Sequence, residues 1–475
     1  VVIFTDPLFL FYFLPLSLIL VRLATWRIGF NPVARLAIVG LTLVFYGFAN
    51  ATWPILFLGV VGGVYVASWA IELASTPALR RCLLGLGIAW PLLALAACKY
   101  LEWITGYVPL LEPMRAWVAS WCGAEGKIEL PPGISFYVFE AITYLVDIHR
   151  RAAKTPRDPT TFFCFIAMFP RFIAGPIVRY GELIDQLRTW GGMRLADGLA
   201  LFSLGFCLKV LFADSSAVFA DAAFAVARPD FCQAWLGVLG YTFQIYFDFW
   251  GYSLMATGIG LCLGFRFPDN FRSPYHAFSI GEFWRRWHIT LSSWIRDYLY
   301  FPLGGSRGGT LRTCVNLILT MTIAGIWHGA NLTFLVWGML QGVLMSVERL
   351  TAPALDRWPK SLRIALTMFL VMLGWVLFRS PTFDQALHVY RGLFGWHGFC
   401  PAFHHGLILN QLPSAALALG GIAFCIWGER LLVQSTPIAE RVFPLGTRVL
   451  LFALFLVALL MSLSSASIPF LYFQF

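Results

Sequence analysis

The sequence predicts an all-α polytopic membrane protein of roughly 11 transmembrane helices. Re-entrant and interfacial helices are expected as well, in one integral-membrane domain over 1–475. Two compositional facts and one pattern carry that prediction. Of 475 residues, 59% are hydrophobic and only 12% charged, whereas soluble domains carry roughly 25% charged residues. Aromatic residues reach 17%, which fits the gathering of Trp and Tyr at bilayer interfaces. Apolar runs long enough to cross hydrocarbon recur along the chain.

The first run, "DPLFLFYFLPLSLILV" (6–21), lacks a basic n-region and a small-residue cleavage site, so it reads as a span. Further spans are expected at 35–52, 55–73, 82–101, 197–220, 233–264, 311–328, 332–348, 361–378, 412–430 and 446–463. The pieces 134–147 and 161–178 are shorter, and the second contains "FPRFIAGPIVRY" (169–180), with two prolines and a glycine. Irregular backbone at membrane depth is tolerated only inside protein or beside a cavity, so a broken or re-entrant helix is expected there. The 102–130 connection carries Glu102, Glu112, Glu125 and Glu129, and its middle, "LLEPMRAWVASW", suits the membrane surface. The stretch 265–312 is too polar to span and too aromatic for a free loop. Short helices lying in or dipping into the membrane plane would satisfy both facts, with "PLGGSRGG" (302–309) as a turn-rich basic loop.

The net charge of +10 is assigned to cytoplasmic loops rather than to a nucleic-acid partner. Arginines and lysines cluster at 21–35, 79–81 and 149–157. These loops alternate correctly if the N-terminus is periplasmic and 102–130 lies outside. The ten cysteines are scattered, without a C-x-x-C or a Cys/His cluster. Neither a disulfide framework nor a metal site is expected.

Ionisable residues at membrane depth are costly and mark function more often than chance. His328 ends the apolar run Val315 to Trp327, just before Asn331. His288 sits in "EFWRRWHITLSSW" (282–294), beside Trp287, and His276 lies in the plainer "SPYHAF". Trp-His-Gly occurs at 327–329 and again at 396–398. The second copy lies in a loop-like stretch and reads as coincidence. His149 belongs to a basic loop, and His388, His404 and His405 read as solvated. Asp248, in "YTFQIYFDFWGYS" (241–253), needs a partner or a cavity, and a structural ion pair fits it as well as a catalytic role. Glu140 is similar, and Lys209 either snorkels or points to a polar core.

Six blocks of the chain resemble the membrane-bound O-acyltransferases, in their bacterial alginate O-acetyltransferase branch. They are "LPPGISFYVFEAITYLVDIHR" (130–150), "FIAGPIVRY" (172–180), "YFDFWGYSLMATGIG" (246–260), "NFRSPYHAFSIGEFWRRWHITLSSWIRDYLYFPLGGSRGG" (270–309), "NLILTMTIAGIWHGANLTFLVWG" (316–338) and "PFLYFQF" (469–475). The resemblance implies a ring of spans around a thin centre, with funnels leading to a histidine. It also implies acyl transfer to a hydroxyl, with functional histidines at His328 and His288. The family's usual "FDFSGYSDMA" reads "FDFWGYSLMA" here, so Trp250 and Leu254 replace a serine and an aspartate, and Arg171 stands where the family is usually uncharged.

Acyl transfer from a thioester needs a base for the attacking hydroxyl and stabilisation of the developing oxyanion. Burial in apolar surroundings favours neutral imidazole, the proton-accepting form. His328 is therefore read as the base, with an acyl-histidine as the alternative. His288, Asn331 or a backbone N–H would polarise the carbonyl. Asp248, Trp287 and Trp327 are expected to line the substrate site. Arg285, Arg286 and Arg307 are expected to hold donor phosphates, with positive-inside charge as the competing reading. No bound cofactor is expected; the donor is acetyl-CoA or another cytoplasmic acyl donor. In this branch the acetyl group passes to a periplasmic acetyltransferase or esterase-like partner and on to an exported polysaccharide such as alginate. The location implied is the lipid bilayer of the bacterial inner membrane. A glycan transporter or flippase, or an acyltransferase for a lipid or protein hydroxyl, is the alternative.

Overall fold

The computed structural model describes residues 3–173, 175–399, 411–429, 436–464 and 468–471. His404, His405 and the last four residues of the "PFLYFQF" block lie outside them. The described chain is helical apart from one two-residue hairpin, Gly123–Ala124 with Lys127–Ile128. Six helices are long and apolar enough to cross a membrane: Trp53–Leu73, Pro77–Lys99, Leu195–Phe224, Gly309–His328, Lys360–Arg379 and Leu445–Ser464. Phe9–Thr25, Pro32–Gly47 and Leu412–Gly428 are apolar but shorter. Phe231–Cys262 and Leu332–Leu355 are long and carry polar residues. Every expected span is thus helical, while length and apolarity support six crossings among the described residues rather than eleven.

The chain divides into two compact units. The first holds Val1–Phe202, Ser253–Pro268 and Phe443–Arg448. Its helices begin where the sequence caps them. Asn31 accepts from the N–H groups of Val33 and Ala34 ahead of Pro32–Gly47, and Thr76 accepts from Leu79 ahead of Pro77–Lys99. Helix Ile134–His149 packs against both Trp53–Leu73 and Pro77–Lys99 and is buried along most of its length. The expected broken helix is present. Pro159–Ile166 ends as Ala167 leaves helical geometry (ψ 68°), and a short turn, Phe169–Phe172, follows. Arg171, 2% exposed, forms an ion pair with Glu140, itself 3% exposed. It also donates to the Phe165 carbonyl and lies 5.3 Å over the Phe165 ring. The unusual arginine is therefore explained by the acid it neutralises; either charge alone would be costly to bury.

The second unit holds Ser203–Tyr252, Asp269–Val442 and Val449–Phe475. Helices Gly309–His328 and Leu332–Leu355 form a tight hairpin. Gly325 and Gly338 make it possible, because a Cβ on either would fall 2.9 Å from the other's Cα. Helix Lys360–Arg379 packs on the second arm. The 265–312 stretch breaks into short pieces as expected: Pro274–His276, Ile280–Arg286, Ile289–Ile295 and Arg296–Tyr300, then turns to Gly308. One expectation fails here: Cys232 is disulfide-bonded.

Candidate active site

His328 is the last residue of helix Gly309–His328 and only 6% exposed. Three aromatic rings enclose its imidazole. Trp327 lies 4.8 Å away, Trp337 5.2 Å away and edge-on at 88°, and Phe378 5.2 Å away at 73°. The glycine crossing of the hairpin brings Trp337 to that position.

His288 lies between the short helices Ile280–Arg286 and Ile289–Ile295 and is 1% exposed. Its backbone is left-handed (φ 43°, ψ 54°), a geometry costing a non-glycine residue about 1–2 kcal/mol. Asn270 holds it there. The Asn270 carbonyl accepts from Ile289 N at 2.9 Å. Its side-chain oxygen lies 3.0 Å from His288 Nδ1 and also accepts from the Thr290 hydroxyl at 2.9 Å. An oxygen facing Nδ1 requires that nitrogen to donate, so Nε2 is the acceptor nitrogen of the neutral ring. Burial pushes the His288 imidazole down to about 3, and Phe249 packs edge-on against it at 4.6 Å.

One aromatic cluster joins the two histidines. Trp337, beside His328, stacks with Trp375 at 6.3 Å and 15°. Trp375 packs at 5.1 Å on Trp287, the residue before His288. Trp287 is 3% exposed and clusters with Phe283 and Tyr275, at 5.5 and 6.1 Å.

The other expected site residues divide. Asn331 caps helix Leu332–Leu355 by accepting from Thr333 N at 3.1 Å, and donates to the Pro381 carbonyl at 2.6 Å. Its amide fixes the turn after His328. Asp248, 1% exposed, pairs with Lys209 at 2.7 Å. Lys209 also meets Asp214 at 2.5 Å, so it points into a polar core rather than snorkelling. The second Asp248 oxygen accepts from Leu471 N at 2.8 Å. Asp248 is thus an ion-pair member and an anchor for residue 471. Arg286 is tied to Glu282 at 2.5 Å, and Arg307 is exposed in the turns after Tyr300.

Arg285 opens onto a cavity of about 510 Å³ together with Arg296 and Arg349. Its interior is apolar, with Trp284, Ile289, Met321 and Met345 among the lining residues. Glu348, also on the wall, is engaged by the N–H groups of Ile280 and Gly281 at 2.5 and 3.3 Å, and Arg296 by Asp297 at 2.7 Å. That leaves Arg285 and Arg349 as the exposed cations at this cavity with the fewest commitments. Trp284 lies 5.8 Å from Trp337, which touches His328. Met321 stands two helical turns before His328, about 11 Å by helical rise.

The second Trp-His-Gly lies in turns after helix Phe383–Leu393. His397 Nδ1 faces the Pro229 carbonyl at 3.1 Å, and its ring lies 5.3 Å from His388. His388 is half-buried rather than solvated. Trp250 stacks on Tyr246 at 5.4 Å and on Phe424 at 6.3 Å, so the departure from serine fills an aromatic stack. Leu254 is buried, and nothing in its surroundings explains the loss of the aspartate.

Comparisons with known proteins bear on the family of the chain. The model of the membrane-bound O-acyltransferase family matches residues 34–380. The chain is 38% identical to the probable alginate O-acetylase AlgI of Azotobacter vinelandii, over 100% of both chains. It is 36% identical to the peptidoglycan O-acetyltransferase of Helicobacter pylori, over 84% of this chain and 81% of that one. It is 27% identical to the teichoic acid D-alanyltransferase of Bacillus subtilis, over 53% of this chain and 69% of that one. A multi-pass helical protein with a buried imidazole pair and this likeness belongs to the membrane-bound O-acyltransferase family.

Proposed function

We propose that this O-acyltransferase moves an acetyl group from a cytoplasmic thioester, acetyl-CoA in the simplest case, toward the hydroxyls of an exported polysaccharide such as alginate. His328 serves as the base. The observation that carries the reading is a buried imidazole closed in by Trp327, Trp337 and Phe378 and joined by stacked indoles to the wall that presents His288. In that setting the ring is placed to take a proton and water is kept from the acyl group. The hydroxyl oxygen attacks the thioester carbonyl while its proton passes to His328, and the carbon–sulfur bond then breaks as the imidazolium returns that proton to sulfur, releasing the free thiol and neutral His328. A backbone N–H near Asn331 stabilises the oxyanion, while His288, whose Nδ1 donates to Asn270, offers Nε2 as an acceptor that orients the attacking hydroxyl.

Arg285 and Arg349, at the mouth of the apolar cavity, suit a donor with an anionic head and an apolar thioester arm. The loops that would face the cytoplasm carry the excess arginine, which supports an inner-membrane protein with a periplasmic N-terminus. A periplasmic acetyltransferase or esterase-like partner then completes delivery to the polymer.

The test is release of coenzyme A thiol from acetyl-CoA by the purified protein, with His328→Ala as the control. Turnover is expected for the wild type and none above background for the variant. Equal rates would remove the assignment.

A further inference from the structure

The helical hairpin carries a row of buried polar groups that the chemistry above does not use. The Trp337 indole is 1% exposed, and its Nε1 has no hydrogen-bond partner among the described residues. The buried Thr320 hydroxyl has none there either. Native interiors pair nearly all of their buried polar atoms, so such exceptions point to a ligand or a function.

Gln341, 2% exposed, lies one turn after Trp337 on the same helix face. Trp284 Nε1 donates to Gln341 Oε1 at 3.3 Å. An indole nitrogen can only donate, which fixes the amide with its oxygen toward Trp284 and leaves Nε2 on the other side. Nε2 lies over Gly374 of helix Lys360–Arg379. A Cβ on that glycine would fall 2.6 Å from Gln341 Nε2 and 3.5 Å from Trp337 Nε1. The two nitrogens therefore approach one spot, and they do so because residue 374 has no side chain.

The register of the hairpin sets these groups in order. A Cβ on Gly338 would meet the Met321 carbonyl, and one on Gly342 would meet the Ile318 Cα. Gln341 thus sits at the level of Thr320, and Trp337 a turn nearer His328. Thr320 and Trp284 line the cavity that Arg285 opens onto, and Trp337 stands edge-on to His328 at 5.2 Å. The row leads from the cavity to the imidazole. Where Trp337 and Gln341 come together they offer N–H groups only, and neither is charged. Such a pair fits a neutral acceptor, whereas an anionic head suits the arginines at the mouth. In a thioester donor the neutral acceptors that can take two N–H groups are carbonyl oxygens.

We propose that Trp337 Nε1–H and Gln341 Nε2–H form a carbonyl-binding subsite for the acyl donor, with Gly374 giving both groups room. The inference rests on the reading of the cavity as the donor's. Acetyl-CoA presents this chemistry twice, in the acetyl carbonyl that reacts and in the amide carbonyls of its arm.

The test reads the carbonyl itself. Acetyl-CoA labelled with carbon-13 at the acetyl carbonyl, or at the arm amide nearest the thioester, is bound to detergent-solubilised His328→Ala protein, which leaves the donor intact. Isotope-edited infrared difference spectra should show one labelled band below its frequency in buffer, because hydrogen bonding softens the C=O stretch. Trp337→Phe and Gln341→Met, each added to that background, should return the band toward its free position. The label that responds names the carbonyl. With His328 restored, Trp337→Phe should lower kcat/KM for acetyl-CoA about tenfold or more. The loss falls in kcat for the acetyl carbonyl, whose oxygen gains charge in the transition state, and in KM for the arm amide, which is bound equally in the ground state.

Gly374→Ala keeps both donors on the chain but drives a methyl against Gln341 Nε2. It should move the same band the same way, and it serves if either other variant fails to fold. A donor that binds with neither label responding to any of the three substitutions overturns the proposal, since a packing role leaves the stretch unchanged. If acetyl-CoA binds neither the wild type nor the His328→Ala protein, the donor reading fails first and takes the subsite with it.

Discussion

The chain carries Trp-His-Gly twice, and the two copies sit in very different physical settings. At 327–329 the histidine ends a long apolar helix, 6% exposed, with three aromatic rings around it. At 396–398 it lies in turns, half-buried, facing the Pro229 carbonyl and the His388 ring. The tripeptide is the same; the desolvation differs. An imidazole in a turn beside a carbonyl is an ordinary satisfied side chain. An imidazole among indoles at a helix end is buried in an apolar setting, where a polar side chain is costly to place.

The strongest way to break this contrast is His328→Ala. It should abolish polymer acetylation in cells, a loss of about 10²–10⁴-fold if the ring is a general base, with expression and detergent elution profile unchanged. Near-normal acetylation would make the aromatic box a packing feature only. Next in size is Asn270→Ala, which removes the acceptor at His288 Nδ1 and releases its tautomer. A fall in kcat of about tenfold or more is expected, with KM little changed. A pure KM effect would place Asn270 in substrate binding instead.

Arg285→Ala and Arg349→Ala should each raise KM for acetyl-CoA several-fold, about 1 kcal/mol or more for a lost charge-assisted bond, with kcat nearly unchanged. Arg286→Ala, whose partner is Glu282, should show no such selective effect on KM. If all three behave alike, the charge serves topology and the cavity is not the donor's. Sidedness is tested separately at Ser306. A cysteine there should react with an impermeant maleimide only from the cytoplasmic face.

A further test concerns pH. The His288 imidazole is held down to about 3 by burial, whereas the unfolded ring protonates near its ordinary value of about 6.5. Between those values the unfolded chain binds more protons. The stability contributed by keeping the ring neutral is therefore complete above pH ~6.5 and lost as pH falls toward 3, at about 1.4 kcal/mol per pH unit. The unfolding midpoint in detergent should drop as pH is lowered from 6.5 to 4.5, and His288→Gln should flatten that drop. An equal slope in both proteins would assign the acid sensitivity elsewhere. The smallest effect is expected at the second copy: His397→Ala should keep acetylation within about twofold. A loss comparable to that of His328→Ala would erase the contrast between the copies.

His288, His328 and Asp248 were legible because a polar group in an apolar run is conspicuous. Their neighbours were not, for a physical reason. Trp337 and Phe378 pack on His328 and Trp375 packs on both, yet in a chain that is 17% aromatic no single ring stands out. Asn270 opens a recognised block but looks like a loop residue until its oxygen is seen at His288. Glu429, buried and hydrogen-bonded by Tyr246, was findable by the reasoning that found Asp248, since it ends an apolar run. In sequence it adjoins Arg430 and reads as an ordinary helix end. Arg349 lies beyond the arginine-rich stretch and joins Arg285 only through folding. The helices themselves were legible from apolarity. The number of crossings was not, because helices such as Ile134–His149 are buried by protein rather than by length.

The glycine crossing at Gly325 and Gly338 also governs what can move. With backbone against backbone there is no side-chain layer in which the two arms can slide, so the hairpin behaves as a stiff lever carrying His328 and Trp337 together. Freedom to admit a thioester is then left to the face that the hairpin does not supply. That face is Phe378 and Trp375 on helix Lys360–Arg379, both buried, so opening the box means shifting that helix against the hairpin.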